Sequence, residues 1–519
     1  MKDITKVLQL DNPEEIIREL KTGRGSEPPE TATYKKQIDP TKHDVMDPAL
    51  RPDKRVKVDA GEDTATSVTT MNVSGEAGEG STRLEPVGRI PVSLQKLIVK
   101  RAAAFLFGND VLISAETKTE KEKQVLEAVQ KILKANKSNS LNKKIARTVF
   151  SCTEAAELWF PVPVEKTVTG TSVISKVKDM LNNAVGNKFH EAYGFKSKFR
   201  LRCAILSPLL DDALFPFFDE TGDMVAFSRE YSIAEEEGKS TKYFETYTAD
   251  RNMRWKQDDS GWIVDEGYPK PNIIGKIPIV YARQEDVEWS DVQSLIDRLE
   301  KLLSNFADTN DYHASPKIFI KGKLIGFAKK GESGAIIEGE DGSEAKYLSW
   351  EHAPESIKLE KETLLNLIYT LTQTPDISFD SVKGLDNISG IALKLMFLDA
   401  HLKVADKQEI FDEYLQRRCN VIKAFVSKFN TALTTECESL EITPEIKPYM
   451  IDDIQSLVEM LTTANGQKPL ISRKLAASLS GLASDVDADF EQMEQERKED
   501  SFVEVTEPTI ENLFMEVIQ

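Results

Sequence analysis

Cysteine is scarce. Cys152, Cys203, Cys419 and Cys437 are far apart, and none stands in a CxxC pair. That spacing excludes a zinc ribbon and a disulfide framework and leaves buried or indifferent thiols. Histidine is nearly as sparse: His43, His190, His313, His352 and His401 form no HExxH or HxH cluster, so no histidine-built metal site is expected. No run approaches about 18 apolar residues, and the longest candidate, AAAFLF at 102–107, is far too short for a membrane span. The N-terminal MKDITKVLQLDNPEE carries acids where a signal peptide needs an apolar core, so retention in a cytoplasm-like compartment is expected. A phosphate cradle is missing too. GEAGEGSTR (75–83) is glycine-rich, but no lysine follows in a GxxxxGK[ST] frame. If ATP is involved, another chain holds it.

What is present is an ordinary globular composition with an acidic balance. The 519 residues carry 67 basic and 86 acidic side chains, a net charge of −19. At about 100–200 residues per domain, three or four domains fit. So acidic a chain is a poor general nucleic-acid binder, because phosphate contacts need Lys and Arg. DNA that must slide past without sticking is still compatible with it.

Residues 1–22 read as a short amphipathic start with Ile16, Ile17 and Leu20, and 23–89 as an extended arm or flexible loop. PVSLQKLIVKRAAAFLFG (91–108) predicts a helix with Leu94, Leu97, Ile98, Arg101 and Phe105 at helical spacing. A strand is expected at 111–114, helices at 117–135 and 141–156, and a strand through ELWFPVPV. The polar stretch 165–199 reads as an insertion. Its Lys176, Lys178, Lys188, Lys196 and Lys198 suit either a basic patch or a solvated loop. From 200 to 285 the period becomes two, with turns at Thr221-Gly222 and Ser260-Gly261: an antiparallel meander. Its Tyr243, Tyr247, Trp255 and Trp262 could stack on bases, but cross-strand or core packing is the plainer reading at strand spacing.

Leu295, Leu299, Leu302 and Phe306 then make one helical stripe over 290–313, with Ser290-Asp291 as its cap. Short strands return at 314–357, and a helix at 359–373. Pro375 ends that helix, and TPDISFDSVKGLDN (374–387) is a loop with one large apolar residue, Phe379, among charges. Beyond Gly390 the chain runs to 433 without Pro or Gly, about 65 Å if helical. Ile391, Leu395, Leu398 and Leu402 form one stripe; Leu393, Phe397, Ala400 and Val404 form another on the far side. Both need cover, either inside a domain or between neighbouring subunits of a ring. Helices at 450–465 and 469–482 and an acidic segment at 483–500 complete the α+β pattern.

LIVKRAAAFLFG (97–108), GKIPIVYARQED (275–286), QSLIDRLEKLLSNFADTND (293–311) and SGIALKLMFLDAHLKVADK (389–407), in this order, resemble portal (connector, head-to-tail) proteins of tailed bacteriophages, siphophage type from Gram-positive hosts. The resemblance covers about residues 90–435. It implies a portal fold: an N-terminal arm at 1–89, a wing at 90–289, a first stem helix at 290–312, a small α/β clip at 313–357 and a second stem helix at 358–373. A tunnel loop at 374–388, a long wing helix at 389–435 and an α-helical crown with tail at 436–519 follow. It also implies a dodecameric ring at one capsid vertex of the virion, assembled in the host bacterial cytoplasm. Double-stranded genomic DNA passes its channel in packaging and ejection. The implied partners are the large terminase motor, the major capsid protein, a scaffolding protein and a head-completion or adaptor protein; no cofactor is implied.

On this resemblance Asp376, Phe379, Asp380, Lys383, Asp386 and Asn387 would face DNA, with Phe379 and Lys383 as its contacts. Ile391, Leu395, Leu398 and Leu402 would pack between subunits. Lys358 and Lys361 read as a stem lysine ring or as plain surface. Lys321, Lys323, Lys329 and Lys330 read as clip docking residues or as solvation. Two rival classes remain: a Mg²⁺-dependent nuclease using Asp211-Asp212 or Asp452-Asp453, and a structural head protein without a channel. The helix–clip–helix–loop–long-helix order is explained by neither.

Overall fold

The computed structural model describes residues 4–57, 82–164, 190–234, 240–314, 317–321, 324–326, 338–339, 342, 344–348, 353–376, 397–449, 454–466, 471–480 and 486–506. The chain divides into two compact units: Met1–Asp376 with Asp399–Tyr449, and Ile377–Leu398 with Met450–Gln519.

The first unit begins with α1 (Ile4–Val7) and α2 (Pro13–Thr22). Asn12 caps α2 by accepting the Glu14 N–H at 3.0 Å, and Pro13 sits where its missing N–H costs nothing. Residues 23–89, expected as an arm, contain helix α3 (Thr31–Ile38) and a hairpin of β1 (Lys54–Lys57) with β2 (Thr82–Glu85). Helix α4 (Leu94–Phe107) follows, then strand β3 (Leu112–Ser114), α5 (Glu120–Ala135) and α6 (Ser138–Cys152). At the start of α5, Thr119 and Glu122 form a reciprocal capping box. Thr119→Ala is therefore expected to destabilise the protein by about 1 kcal/mol, read as a shift of the urea midpoint. The sequence reading ran α6 on to 156. The helix ends at Cys152 because Thr153 is left-handed (φ 67°), and β4 (Glu154–Pro163) starts at once.

Strands β4, β5 (Phe199–Leu206) and β12 (Ile279–Arg283) make an antiparallel three-stranded sheet in the order β12-β4-β5. Between them lies the meander: β6 (Ala213–Phe218), β7 (Met224–Ala234), β8 (Ser240–Thr248), β9 (Arg251–Asp258) and β10 (Gly261–Val264), with β11 (Lys270–Pro271) added to β9. Gly222 (φ 88°) and Gly261 (φ 117°) supply the turns. Alternation sends Phe217, Ala226, Phe244 and Trp255 to one face, where Ile16, Ile17 and Leu20 of α2 cover them. Leu214, Phe227 and Tyr247 go to the other face, against Ala156, Leu206, Ile279 and Tyr281 of the small sheet. The meander aromatics are thus consumed by packing: Trp255 is fully buried, Trp262 lies edge-on to Phe244, and Tyr243 stacks on its cross-strand neighbour Tyr231 at 5.6 Å.

Two longer helices come next, α7 (Gln293–Ala314) and α8 (Ala353–Leu371). Between them β13 (Lys317–Lys321) pairs with β16 (Glu344–Leu348), and β14 (Leu324–Gly326) with β15 (Glu338–Gly339). Helix α9 (Leu398–Phe429) is about 48 Å long at 1.5 Å per residue. It ends before the expected 435, where Asn430 leaves helical geometry and its side chain accepts from Ala432 N–H. Helix α10 (Thr434–Ser439) and β17 (Thr443–Glu445) close the unit, β17 pairing with β3. Residues 436–449, expected with the C-terminal domain, therefore belong to the first unit.

The second unit contains α11 (Ile454–Ala464), α12 (Arg473–Ser480) and α13 (Val486–Thr506), each in contact with the next. Helix α13 carries the expected acidic segment. Among the described residues no helix is long and apolar enough to cross a membrane.

Candidate functional site

The candidate site is the α7–α8 pair and the start of the loop that leaves α8. Ile296, Leu299 and Leu302 form the buried stripe of α7, continued by Val292 of the preceding turn, with Leu295 and Phe306 only half-buried at its edge. The stripe is rotated from the expected one because two polar residues share it. Glu300 accepts the Val92 N–H at 2.7 Å, and the Ser304 hydroxyl accepts the Ile90 N–H at 2.9 Å. The extended segment before α4 thereby lies along α7. Gly88 lies close against α7: its N–H donates to Asp308 at 2.6 Å, and a Cβ would stand 3.1 Å from Ala307 Cβ, a tight contact. Ser290-Asp291 are not a cap; with Val292 they form a 3₁₀ turn that runs into α7. Arg298 pairs with Glu360 at 2.6 Å and ties α7 to α8.

The end of α8 is clamped. Gln373 is left-handed (φ 49°), which stops the helix before Pro375 is reached. Lys403 of α9 donates to the Thr372 carbonyl at 2.9 Å and pairs with Glu288 at 2.6 Å. Lys407, one turn on, reaches Glu288 at 3.0 Å. Burial alone would raise Glu288, but Lys403 and Lys407 together hold it below the ordinary carboxylate value. Arg101 of α4 donates to the Pro375 carbonyl at 2.7 Å and lies 3.8 Å from Asp376. Three cations from two helices thus fix where the chain leaves α8.

A family model described as phage portal protein, SPP1 Gp6-like, matches residues 85–501. The chain belongs to the phage portal protein family. No curated protein sequence matches it. Solved structures to which the chain shows similarity include a chain from the neck of an empty GTA particle computed with C6 symmetry. That match has TM-score 0.40 and 12% identity and covers 75% of this chain and 89% of that one. A chain from the neck of a native GTA particle computed with C12 symmetry matches with TM-score 0.39 and 12% identity over 75% and 88%. A third, from the virion of a native gene transfer agent (GTA) particle, gives 0.35 and 13% over 75% and 88%.

In this portal-family chain Asp376 is exposed at the foot of the loop. Phe379, Asp380, Lys383, Asp386, Asn387, Ile391 and Leu395 lie outside the described residues, as do Lys323, Lys329 and Lys330. Leu398 and Leu402 are about half exposed, at 50% and 53%, whereas Ala400 and Val404 on the other stripe of α9 are buried. Lys358 is exposed and 3.9 Å from Glu362, Lys361 is half-buried, and Lys321 is exposed on β13. The acidic pair at 211–212 holds a turn: Asp211 pairs with Lys35 at 2.6 Å, and Asp212 accepts the Ser207 N–H at 3.1 Å. Burial raises Asp212, which suits a structural carboxylate. Asp452-Asp453 fall outside the described residues. Burial also pushes the thiols of Cys152, Cys419 and Cys437 up to about 11, and raises that of Cys203.

Sequence reasoning missed Arg101, Glu288, Glu300, Lys403 and Lys407 as positioning residues. Faint signals existed. Arg101 interrupts the apolar stripe of α4, Glu300 that of α7, and Lys403 and Lys407 stand four apart beside an apolar face.

Proposed function

We propose that this chain assembles, as a ring of about twelve copies, into the channel at one capsid vertex through which double-stranded DNA is packaged and ejected. The match to the portal family over residues 85–501 is the observation that carries this reading. In it, residues 90–289 are the wing, α7 and α8 the stem, the strands between them the clip, and 436–519 mainly the crown. The loop from 374 to 388 faces the axis. There Lys383 touches phosphate transiently while Asp376, Asp380 and Asp386 prevent trapping, and Phe379 and Asn387 brush the duplex. The net charge of −19 per copy keeps a polyanion centred and mobile. Lys321, Lys323, Lys329 and Lys330 would meet the terminase motor and later the adaptor, and Lys358 and Lys361 would line the stem. The capsid and scaffolding proteins meet the wing.

The uncovered stripe of α9 supports contact between copies. Leu398 and Leu402 are exposed on a helix whose other stripe is buried, and a second copy would cover them. Electron microscopy of the purified protein is expected to show rings with a central channel about as wide as a duplex. Leu398→Asp with Leu402→Asp is expected to shift the protein to monomers on a sizing column. Rings that persist unchanged in this variant would remove the stripe from the interface; a wild-type chain that stays monomeric across salt and concentration would count against the ring.

A further inference from the structure

The segment between α3 and β1 crosses α7 in two short 3₁₀ turns, Pro40–Lys42 and Asp44–Met46. Between the turns sits His43, 5% exposed. Its Nδ1 lies 2.6 Å from Glu300 Oε1, and its Nε2 lies 2.7 Å from the Gln37 carbonyl oxygen. A neutral imidazole has one N–H and one lone pair. Facing a carbonyl and a carboxylate, it would set a lone pair against an acceptor on one side. The imidazolium donates on both sides and satisfies both. Glu300 Oε1 also accepts the Val92 N–H, as an ionised carboxylate would. Whichever atom of the pair carries the extra proton, that proton is needed for the contact to close.

We propose that His43 is a protonation-dependent latch that fastens residues 37–46 to helix α7: closed while the His43–Glu300 pair holds its proton, and released when that proton is lost. The inference rests on contacts within one chain and is independent of ring formation.

The surroundings favour the charged form. Helix α7 presents Glu300 and Asp297 to the ring. On the segment itself Asp44 is paired with Lys36 at 2.6 Å, and Asp39 with Lys42 at 3.7 Å. From α4, Lys96 acts on Asp39. Burial is the largest single influence and works against the imidazolium, but Glu300, the Gln37 carbonyl and Asp297 together outweigh it and raise His43 above its ordinary value. A group raised in the folded state contributes stability that is fully present below its unfolded value, about 6.5. That contribution is lost as pH rises through the folded value. Release is therefore alkaline.

It is also local. Trp289 Nε1 donates to the Gln37 side chain at 2.9 Å, and Arg51 bonds Asn305 at 2.9 Å and Asp308 at 2.8 Å. Neither contact involves the His43 ring, so these anchors stay in place when the latch opens.

The test uses the full chain with labelled histidine, followed by NMR from about pH 5.5 to 9, and amide hydrogen exchange over 37–46 expressed as protection factors. One histidine should titrate above 6.5, and its signal should be missing in His43→Gln. Protection of 37–46 should fall about tenfold as pH rises through that value in the wild type. In His43→Gln it should already be low and flat with pH, and Glu300→Gln should bring the His43 titration down below 6.5. A His43 that titrates below 6.5 in the wild type, or protection of 37–46 that does not change with pH, overturns the latch. If His43→Gln fails to fold, the wild-type exchange profile alone decides.

Discussion

Arg418→Ala is expected to destabilise the first unit by about 3–5 kcal/mol, measured from urea unfolding. Arg418 comes from the middle of α9 and is fully enclosed. It grips Glu157 of β4 with two nitrogens, at 2.9 and 2.5 Å, and donates to Asn142 of α6 at 2.5 Å. Trp159 Nε1 donates to the same carboxylate at 3.1 Å. Helix, sheet and α6 are joined at one buried fork. Alanine removes the cation and leaves Glu157 charged with no water to reach it, which is why losing one partner costs more than the pair contributes net. The double variant Arg418→Met with Glu157→Leu is expected to recover most of the loss, since it buries no charge. A single variant within about 1 kcal/mol of wild type would show that the fork adds little to holding α9 on the sheet.

Glu288→Ala should be nearly as damaging, at about 3 kcal/mol, with its effect concentrated where the chain leaves α8. It leaves Lys403, which is nine-tenths buried, and Lys407 without their shared carboxylate. Lys403 then has less reason to stay at the Thr372 carbonyl, and hydrogen exchange over 372–376 should rise more than elsewhere in the unit. The same residue sets an acid limit. Because its folded value is lowered, Glu288 stabilises fully above the unfolded carboxylate value, about 4.3, and this stabilisation is lost as pH falls through the folded value. The Ala variant should lack that acid-side decline. Exchange that rises equally everywhere would mean that Glu288 supports the whole unit and does not single out the loop.

The buried ion pairs follow one plan. Arg24 pairs with Glu154 at 2.7 Å, and Tyr281 donates to the same carboxylate at 2.6 Å, so the N-terminal helices are joined to β4 as α9 is. Glu154 and Glu157 stand three apart on one strand and take arginines from segments more than a hundred residues away on either side. Nothing in β4 itself announces these partners. EAAELWFPVP reads as a buried strand with two misplaced acids, and misplaced acids in an apolar run are a sign of distant cations rather than an error in the strand.

Local period determined much of this protein. The spacing of two between 200 and 285 specified an antiparallel meander, and its turns fall at Thr221-Gly222 and Ser260-Gly261, where glycine can take positive φ. The helical stripes at 91–108 and 290–313 and the long proline-free run after 390 specified α4, α7 and α9, because each pattern depends only on residues three or four apart. The order of these elements pointed to the portal family. What the sequence alone could not determine was everything set by contacts distant along the chain. Residues 1–22 read only as a short amphipathic start before an arm, because their few apolar side chains are sufficient only when Phe217, Phe244 and Trp255 meet them across the sheet. The buried face of α7 turned toward Glu300 and Ser304 because the backbone of 87–92 needed acceptors there. The roles of His43, Glu288, Lys403 and Arg418 are not legible in the sequence, since a charge reveals its burial only when its partner arrives from elsewhere in the fold.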